Sequence, residues 1–222
     1  MRKLSCNVFS AALIIFLLLE AIIVNMFNLN FYKTEYAKLN VAADVGCSYE
    51  ELITATEVLL DYTADRREDM VVTAVIDGAE REVFNKREKD HMVDVKALYL
   101  SADVVRKVCI AAVVLIYFLN YGQKGILKDL SRAFPNVSMI FLIVIGAIAL
   151  YAAVDFNSFW TNFHHVFFTK NDFWLLNPAT DLMIRFFPEQ FFADIVLRIV
   201  LTFFAGFGIL NGLCFLYRKK VG

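Results

Sequence analysis

Two groups of side chains in this sequence are suited to acid–base chemistry. Glu88, His91 and Asp94 follow one another at intervals of three residues, a spacing that places them on one side of a helix. His164 and His165 are adjacent in a second, aromatic segment. An imidazole titrates near neutral pH and can accept a proton and later return it. The chain has 3 histidines, and all of them belong to these two groups.

The first group interrupts an apolar helix face. From Ala79 to about Ser101 the spacing of apolar residues predicts a helix, and Glu88 and His91 occupy positions on its buried face. Buried polar side chains must find partners or cost on the order of a few kcal/mol. For a single histidine, a structural role beside a carboxylate is the more ordinary interpretation.

The second group strengthens the functional interpretation. It begins the segment 163–174, where polar residues are interspersed among aromatic ones, as is typical of elements at the level of lipid headgroups. Although they are far apart in sequence, His91 and either His164 or His165 could converge. Histidines that meet at a lipid–water boundary indicate acid–base chemistry on a lipid.

Four further residues are weaker candidates for a binding pocket. Trp174 fits an interfacial anchor better than a pocket wall. Asp181 and Arg185 could bind a headgroup or each other, and an ion pair is the more ordinary interpretation. Tyr62 ends an earlier predicted helix, so we expect it to pack rather than to react.

The elements that must position these residues are membrane helices. The chain is 59% hydrophobic, more than a soluble core of this length needs, and the excess lies in long uninterrupted blocks. Four blocks are long enough to cross about 30 Å of hydrocarbon. They cover approximately residues 8–27, 104–119, 137–154 and 193–217. The predicted fold class is an all-α integral membrane protein with four transmembrane helices, forming a single membrane domain over residues 1–222.

The distribution of lysine and arginine predicts the orientation. Basic residues cluster at the start of the chain, between the second and third predicted spans, and at the end of the chain. Such clusters favour the cytoplasm, which places both termini inside. Segments 28–103 and 155–192 are then extracytoplasmic, carry helices near the membrane surface and contain all the histidines. Glu20 falls within the first span, where a carboxylate is functional, protonated or paired.

Local signals predict the structure that precedes the first histidine. Ser48 and Glu51 fit a capping box at the start of a helix. The run Met70–Ile76 could be a strand or an extended connector, and Asp77-Gly78 marks a turn. The net charge of -1 does not indicate a basic surface for binding nucleic acid.

The two groups together resemble a known family. The first motif reads Phe84-x-x-x-Glu88-x-x-His91-Met92-x-Asp94-Val95-Lys96, and the second reads Phe163-His164-x-x-Phe167-Phe168-x-x-Asn171-Asp172-x-Trp174. This pattern, continued through Asp181-Leu182-x-Ile184 to Pro188, is similar to that of the lipoprotein intramolecular transacylases of Gram-positive bacteria. With the four-span layout, the resemblance covers nearly the whole chain.

The resemblance implies an acyltransferase of the bacterial plasma membrane with its active site on the extracytoplasmic side. Its partners would be diacylglyceryl-modified lipoproteins and membrane lipids. The enzyme would move the sn-2 acyl chain onto the α-amine of the same N-terminal cysteine and leave an N-acyl lyso-lipoprotein. The family's two functional histidines correspond to His91 and His164, whereas His165 falls at a less restricted position. Neither a metal nor another cofactor is expected.

The chemistry of ester aminolysis suggests roles for these residues. We expect His91 to act as the base, with Glu88 or Asp94 holding its ring. His164 would then stabilise the oxyanion or protonate the glycerol oxygen. The reverse assignment of the two histidines is equally compatible with the sequence.

Two other classes of function remain open at this point. A metal-dependent membrane lipid hydrolase could use the same histidines and carboxylates as ligands, although no H-E-x-x-H motif is present. A membrane scaffold or sensor would account for the spans, but it leaves Glu88 and His91 on an apolar face unexplained.

Overall fold

Helices form most of the chain, and a β-hairpin lies between two of them. The structure is a computed structural model that describes residues 2–221. The helices are α1 (Arg2–Met26), α2 (Leu29–Leu39), α3 (Val41–Val45), α4 (Tyr49–Thr63), α5 (Lys86–Leu119), α6 (Ile126–Val154), α7 (Phe156–Phe167), α8 (Met183–Phe186) and α9 (Glu189–Val221). Strands β1 (Thr73–Ile76) and β2 (Ala79–Glu82) lie between α4 and α5.

The described residues form two compact units. The first, which we call the helical unit, comprises residues 2–24, 102–155 and 197–221. The second, the hairpin unit, comprises residues 25–101 and 156–196 and contains all three histidines. The long helices α1, α5 and α9 contribute residues to both units.

The helical unit is built from apolar helices. Its buried core includes Ile14 on α1, Phe134 on α6, and Phe203 and Phe207 on α9. Of the helices in the described residues, α1, α6 and α9 are long and apolar enough to cross a membrane. These three helices correspond to the first, third and fourth predicted spans, although α1 ends at Met26, one residue before the predicted end of the first span.

The second predicted span, residues 104–119, forms the C-terminal part of α5. This helix is not among the three, because its last 18 residues, 102–119, include the charged side chains of Asp103, Arg106 and Lys107. At 34 residues, α5 is about 50 Å long and has room for both an outer helix and a crossing. A fourth membrane crossing therefore stays a prediction.

Glu20 is paired. Its carboxylate accepts a hydrogen bond from Nη1 of Arg106 at 2.8 Å, and Nη2 of Arg106 lies 2.7 Å from the carboxylate of Asp103. Of the three interpretations of Glu20, the structure supports the structural ion pair. Pairing offsets the cost of placing a carboxylate within an apolar helix.

The hairpin unit begins with the predicted capping box. The hydroxyl of Ser48 accepts a hydrogen bond from the backbone N–H of Glu51, whose carboxylate accepts one from the N–H of Ser48. The same carboxylate accepts a hydrogen bond from the N–H of Val75 at 2.8 Å. Glu51 therefore caps α4 and ties its first turn to β1.

The hairpin follows the predicted turn. Asp77 and Gly78 both have positive φ values, 52° and 83°, and connect β1 to β2 in an antiparallel pair. A two-residue turn of this kind reverses the direction of the chain, so that the second strand runs antiparallel to the first. The prediction that a helix begins at Ala79 is therefore wrong, because Ala79–Glu82 pairs with β1 and α5 begins at Lys86.

The start of α5 is a second capping box, which the sequence analysis missed. The side-chain oxygen of Asn85 accepts a hydrogen bond from the N–H of Glu88 at 3.1 Å. The carboxylate of Glu88 accepts one from the N–H of Asn85 at 2.7 Å. The Asn-x-x-Glu spacing is visible in the sequence, so this helix start was predictable.

Candidate active site

His91 and His164 come together in the hairpin unit. His91 lies on the second turn of α5, and His164 lies on α7. Their ring centroids are 6.1 Å apart, with the ring planes inclined by 33°. Both side chains are buried, at 8% and 9% exposure. The predicted convergence of two histidines distant in sequence is confirmed for this pair.

Aromatic rings enclose the two imidazoles. Phe168 contacts both, with centroid distances of 5.2 Å to His91 and 5.4 Å to His164. Trp174 stacks on His164 at 5.0 Å, and the edge of Trp160 approaches the same imidazole at 5.1 Å. These rings bury both imidazoles, so charges that develop between them interact more strongly than they would in bulk solvent.

A backbone carbonyl fixes the tautomer of His164. Nδ1 of His164 lies 2.7 Å from the carbonyl oxygen of Trp160, one helical turn earlier. Because a carbonyl oxygen can only accept, Nδ1 carries the proton in this hydrogen bond. Nε2 of the neutral ring then has a free lone pair and can accept a proton.

The pKa values of both histidines favour the neutral rings. Burial, followed by the proximity of His164, lowers the pKa of His91 from 6.5 to about 4. Burial also lowers the pKa of His164. Nδ1 of His91 is buried and has no hydrogen-bond partner within residues 2–221. The pocket therefore holds two uncharged imidazoles at neutral pH, one anchored and one with an unpaired ring nitrogen.

Glu88 supports the site through the backbone. Besides capping α5, its fully buried carboxylate accepts a hydrogen bond from the N–H of Met183 at 2.5 Å, which ties α8 to α5. Burial raises the pKa of this carboxyl group. We expected Glu88 to hold the ring of His91, but its hydrogen bonds go to Asn85 and Met183 instead.

The side chain of Asp94 is likewise hydrogen-bonded to a residue other than His91. Its carboxylate accepts a hydrogen bond from Nδ2 of Asn171 at 2.8 Å. The side-chain oxygen of Asn171 accepts one from the N–H of Phe173 at 3.0 Å. Asp94 therefore anchors the segment between α7 and α8 that carries Trp174.

Arg87 is a second anchor of this segment and was not identified from the sequence. Its guanidinium donates hydrogen bonds to the carbonyl oxygens of Asp172 and Leu175 and lies 3.2 Å from the carboxylate of Asp172. Trp174, which stacks on His164, is held between these two attachment points. A lone arginine in a helix gives no sequence signal for such a contact.

The remaining predicted site residues lie outside the imidazole pair. The exposed His165 contacts Trp174 edge-on at 4.9 Å. Tyr62 lies under the ammonium group of Lys96 at 4.5 Å. Asp181 accepts hydrogen bonds from the Asn85 side chain and the Asn177 backbone, while Arg185 pairs with Asp44. Asp181 and Arg185 thus have separate partners rather than each other.

The positions of the potential metal ligands are relevant to the alternative function, a metal-dependent lipid hydrolase. Within residues 2–221, no three His, Cys, Asp or Glu side chains are grouped as metal ligands would be. The carboxylates expected to complete such a site, Glu88 and Asp94, are turned to backbone and amide donors.

Comparison with known proteins gives a family and a fold. The family model described as lipoprotein intramolecular transacylase Lit matches residues 7–192. The structure of the membrane integral lipoprotein intramolecular transacylase Lit from Bacillus cereus superposes with a TM-score of 0.80 at 23% identity, covering 99% of this chain and 97% of that one. A search of curated proteins gave no significant match.

Two structures of variants of the Bacillus cereus protein are similar as well. In one variant a histidine is replaced by arginine, and its structure matches with a TM-score of 0.75 at 22% identity over 99% of this chain and 93% of that one. In the other the replacement is alanine, with a TM-score of 0.75 at 20% identity over 100% of this chain and 96% of that one. At these identities the structures show a shared fold, and the family model spans most of the chain. The chain belongs to the lipoprotein intramolecular transacylase family and is a membrane acyltransferase.

Proposed function

We propose that this enzyme transfers the sn-2 acyl chain of a diacylglyceryl lipoprotein to the α-amine of the same N-terminal cysteine. The product is an N-acyl lyso-lipoprotein with a free glycerol hydroxyl. The observation that carries the proposal is the buried pair of neutral imidazoles, His91 and His164, whose ring centroids are 6.1 Å apart. Aminolysis of an ester needs both a proton acceptor and a group that stabilises an oxyanion.

His164 is the general base in this proposal. A free α-amine titrates at about 7.7–8.0, and only its neutral form attacks the ester carbonyl carbon. As the C–N bond forms, Nε2 of His164 takes a proton from the amine, while Nδ1 stays bonded to the Trp160 carbonyl. The tetrahedral intermediate collapses by breaking the bond to the sn-2 oxygen, and His164 returns the proton to that oxygen.

His91 stabilises the oxyanion. A neutral imidazole can donate one N–H, and the lowered pKa of His91 keeps this ring neutral over the working range. Nδ1 of His91 has no hydrogen-bond partner in the described part of the chain, so no protein group holds that nitrogen. This assignment reverses the roles first expected for the two histidines, because the His164 tautomer makes His164 the better-defined base.

The exposed surface of the hairpin unit supports a substrate that remains in the membrane. Four apolar residues close in sequence to His91, His164 or Trp174 are each at least 50% exposed. They are Val93, Val166, Phe167 and Leu175. Apolar side chains exposed in this way fit contact with lipid better than contact with water. We therefore assign membrane lipids and lipoprotein acyl chains as the partners of this surface.

The proposed topology has four crossings. Residues 104–119 of α5 form the second crossing, beside α1, α6 and α9, and the whole chain acts as a single membrane domain. The basic clusters at both termini and between the second and third crossings favour the cytoplasm. The imidazole pair then faces the extracytoplasmic side, where lipoproteins carry their diacylglyceryl group.

A crossover experiment tests the transfer. The purified enzyme would be given a synthetic diacylglyceryl lipopeptide with an isotope-labelled sn-2 chain, mixed with an unlabelled lipopeptide of different peptide sequence. We expect tandem mass spectrometry to find the label on the amine of its own peptide, with the total mass unchanged. Label on the second peptide would contradict intramolecular transfer, and release of a free labelled fatty acid would indicate a hydrolase.

A further inference from the structure

The helical unit contains a small basic cavity that is lined by none of the residues assigned to the transfer reaction. It has a volume of about 80 Å³ and is lined by Lys128 and Arg132 of α6 and by Tyr217, Arg218 and Val221 of α9. Lys128 and Arg132 are one helical turn apart, so both can reach the same cavity. Three cationic groups thus converge on a space the size of a small anion.

An apolar groove adjoins this cavity. It has a volume of about 200 Å³ and is lined mainly by leucine and phenylalanine side chains of α1, α6 and α9, among them Leu13, Leu130 and Leu213. Tyr217 lines both the groove and the basic cavity. The basic cavity and the apolar groove therefore meet at Tyr217. Together they form a composite site with one polar end and one apolar end.

Among the described residues, no carboxylate pairs with the cations of the basic cavity. Within residues 2–221, no ion pair involves Lys128, Arg132 or Arg218. The carboxylate of Asp129, next to Lys128 in sequence, pairs with Arg2 at 2.6 Å. Asp129, the acidic residue nearest to Lys128 in sequence, is thus already paired with Arg2.

We propose that this composite site binds one anionic phospholipid, with the phosphate among Lys128, Arg132 and Arg218 and one acyl chain in the groove. Lipid tails are as apolar as leucine, so the groove alone gives little preference over the surrounding bilayer. Selectivity must come from the headgroup, and clusters of lysine and arginine beside membrane helices recognise anionic headgroups. The ligand is structural and distinct from the lipoprotein substrate.

Lipid binding to the purified full-length protein tests this proposal. Native mass spectrometry would compare phosphatidylglycerol with phosphatidylcholine of identical acyl chains. We expect one phosphatidylglycerol to bind at least about tenfold more tightly than phosphatidylcholine, an advantage that decreases as the salt concentration rises. Equal binding of the two lipids would overturn the proposal.

Two matched triple variants locate the site. Replacing Lys128, Arg132 and Arg218 by glutamine should remove the preference for phosphatidylglycerol. Replacing Lys3, Lys219 and Lys220 by glutamine removes the same number of charges from terminal residues that do not line the cavity, and should preserve the preference. An equal loss in both variants would show general electrostatic attraction rather than a site. The circular dichroism spectrum of each variant checks that it is folded.

A groove variant tests the acyl chain separately. The side chain of Leu213 lines the groove and is 56% exposed, so Leu213→Trp can narrow the groove without crowding a buried core. We expect it to weaken phosphatidylglycerol binding while the three cations remain. Unchanged binding in this variant would contradict the proposed place of the acyl chain.

Discussion

Nδ1 of His164 lies 2.7 Å from the carbonyl oxygen of Trp160, and this contact gives the two imidazoles of the pocket different properties. The carbonyl fixes both the proton and the ring orientation of His164, whereas Nδ1 of His91 has no hydrogen-bond partner among the described residues. A base benefits from a fixed lone pair, and an oxyanion needs a donor that the protein has not already engaged. The proposed division of roles between two chemically identical side chains rests on this difference.

The pH dependence of transfer should be governed by the substrate amine. The pKa values of both histidines are lowered by burial, that of His91 to about 4, so protonation of both rings is shifted below pH 6.5. We expect kcat/KM to fall about tenfold for each pH unit below the amine pKa of about 7.7–8.0. Initial rates with a soluble lipopeptide between pH 5.5 and 9 measure this slope. A slope of two beginning at pH 6.5 would mean that one of the two histidines titrates normally.

Glu88→Gln should destabilise the protein. The buried carboxylate accepts hydrogen bonds from two backbone N–H groups, those of Asn85 and Met183, whereas an amide presents only one accepting atom. We expect a loss of about 1–3 kcal/mol in the free energy of unfolding, seen as a lower Tm. Glu57→Gln, at an exposed position of α4, is the matched control and should leave the Tm nearly unchanged. A stable but inactive Glu88→Gln protein would instead place Glu88 in the chemistry.

Asp94→Ala and Asp94→Asn should differ. Asp94 accepts a hydrogen bond from Asn171, and an asparagine at position 94 retains an accepting oxygen that alanine lacks. We expect the asparagine variant to keep most of the wild-type kcat and the alanine variant to lose about tenfold, since displacing Trp174 misplaces His164. Steady-state kinetics of the two variants measures this difference in kcat. Equal loss in both would show that the negative charge of Asp94 acts on His91.

Arg87→Gln should loosen the segment that carries Trp174. The guanidinium holds the carbonyl oxygens of Asp172 and Leu175, on either side of that tryptophan, and glutamine is too short to reach both. In a Trp160→Phe background Trp174 is the only tryptophan left, so its fluorescence reports on this segment. We expect a red shift and a fall in kcat of about tenfold.

The neighbouring residue provides the control for Arg87. Lys86 pairs with Asp90 at the surface of the same helical turn, so Lys86→Gln should leave both the fluorescence and kcat unchanged. Arg87→Lys should not restore the wild-type spectrum, because an ammonium group lacks the two-pronged geometry of a guanidinium. A normal spectrum in Arg87→Gln would contradict the positioning role of this residue.

Signals local in sequence predicted much of the fold. The capping box at Ser48 and the turn at Asp77-Gly78 depend on residues within four positions of each other, and both are present. The prediction of a helix from Ala79 failed because Ala79–Glu82 has no apolar periodicity of its own and pairs with β1 after the turn. The Asn85-x-x-Glu88 spacing marks the true start of α5.

The candidate site was only partly predictable for a different reason. The types and spacing of His91 and His164 identified them, because polar residues on an apolar face require an explanation. The long-range partners of Glu88 and Asp94, which are Met183 and Asn171, could not be predicted, since they lie 95 and 77 residues away along the chain. The anchor of His164 is a backbone carbonyl, which every residue possesses and which therefore leaves no trace in the sequence.

The most direct test of the account is the structure of a lipoprotein's N-terminal lipopeptide in living cells. A bacterium whose lipoproteins carry a diacylglyceryl group and a free amine would express the wild-type chain or one of three variants: His91→Asn, His164→Asn and His165→Asn. Tandem mass spectrometry of one abundant lipoprotein should find an acyl chain on the amine, at unchanged total mass, with the wild-type protein and the His165 variant. The His91 and His164 variants, present in the membrane at wild-type amounts, should leave the lipopeptide unmodified. Transfer by either of these variants would remove that histidine from the mechanism, and unmodified lipopeptide with the wild-type protein would contradict the proposed reaction itself.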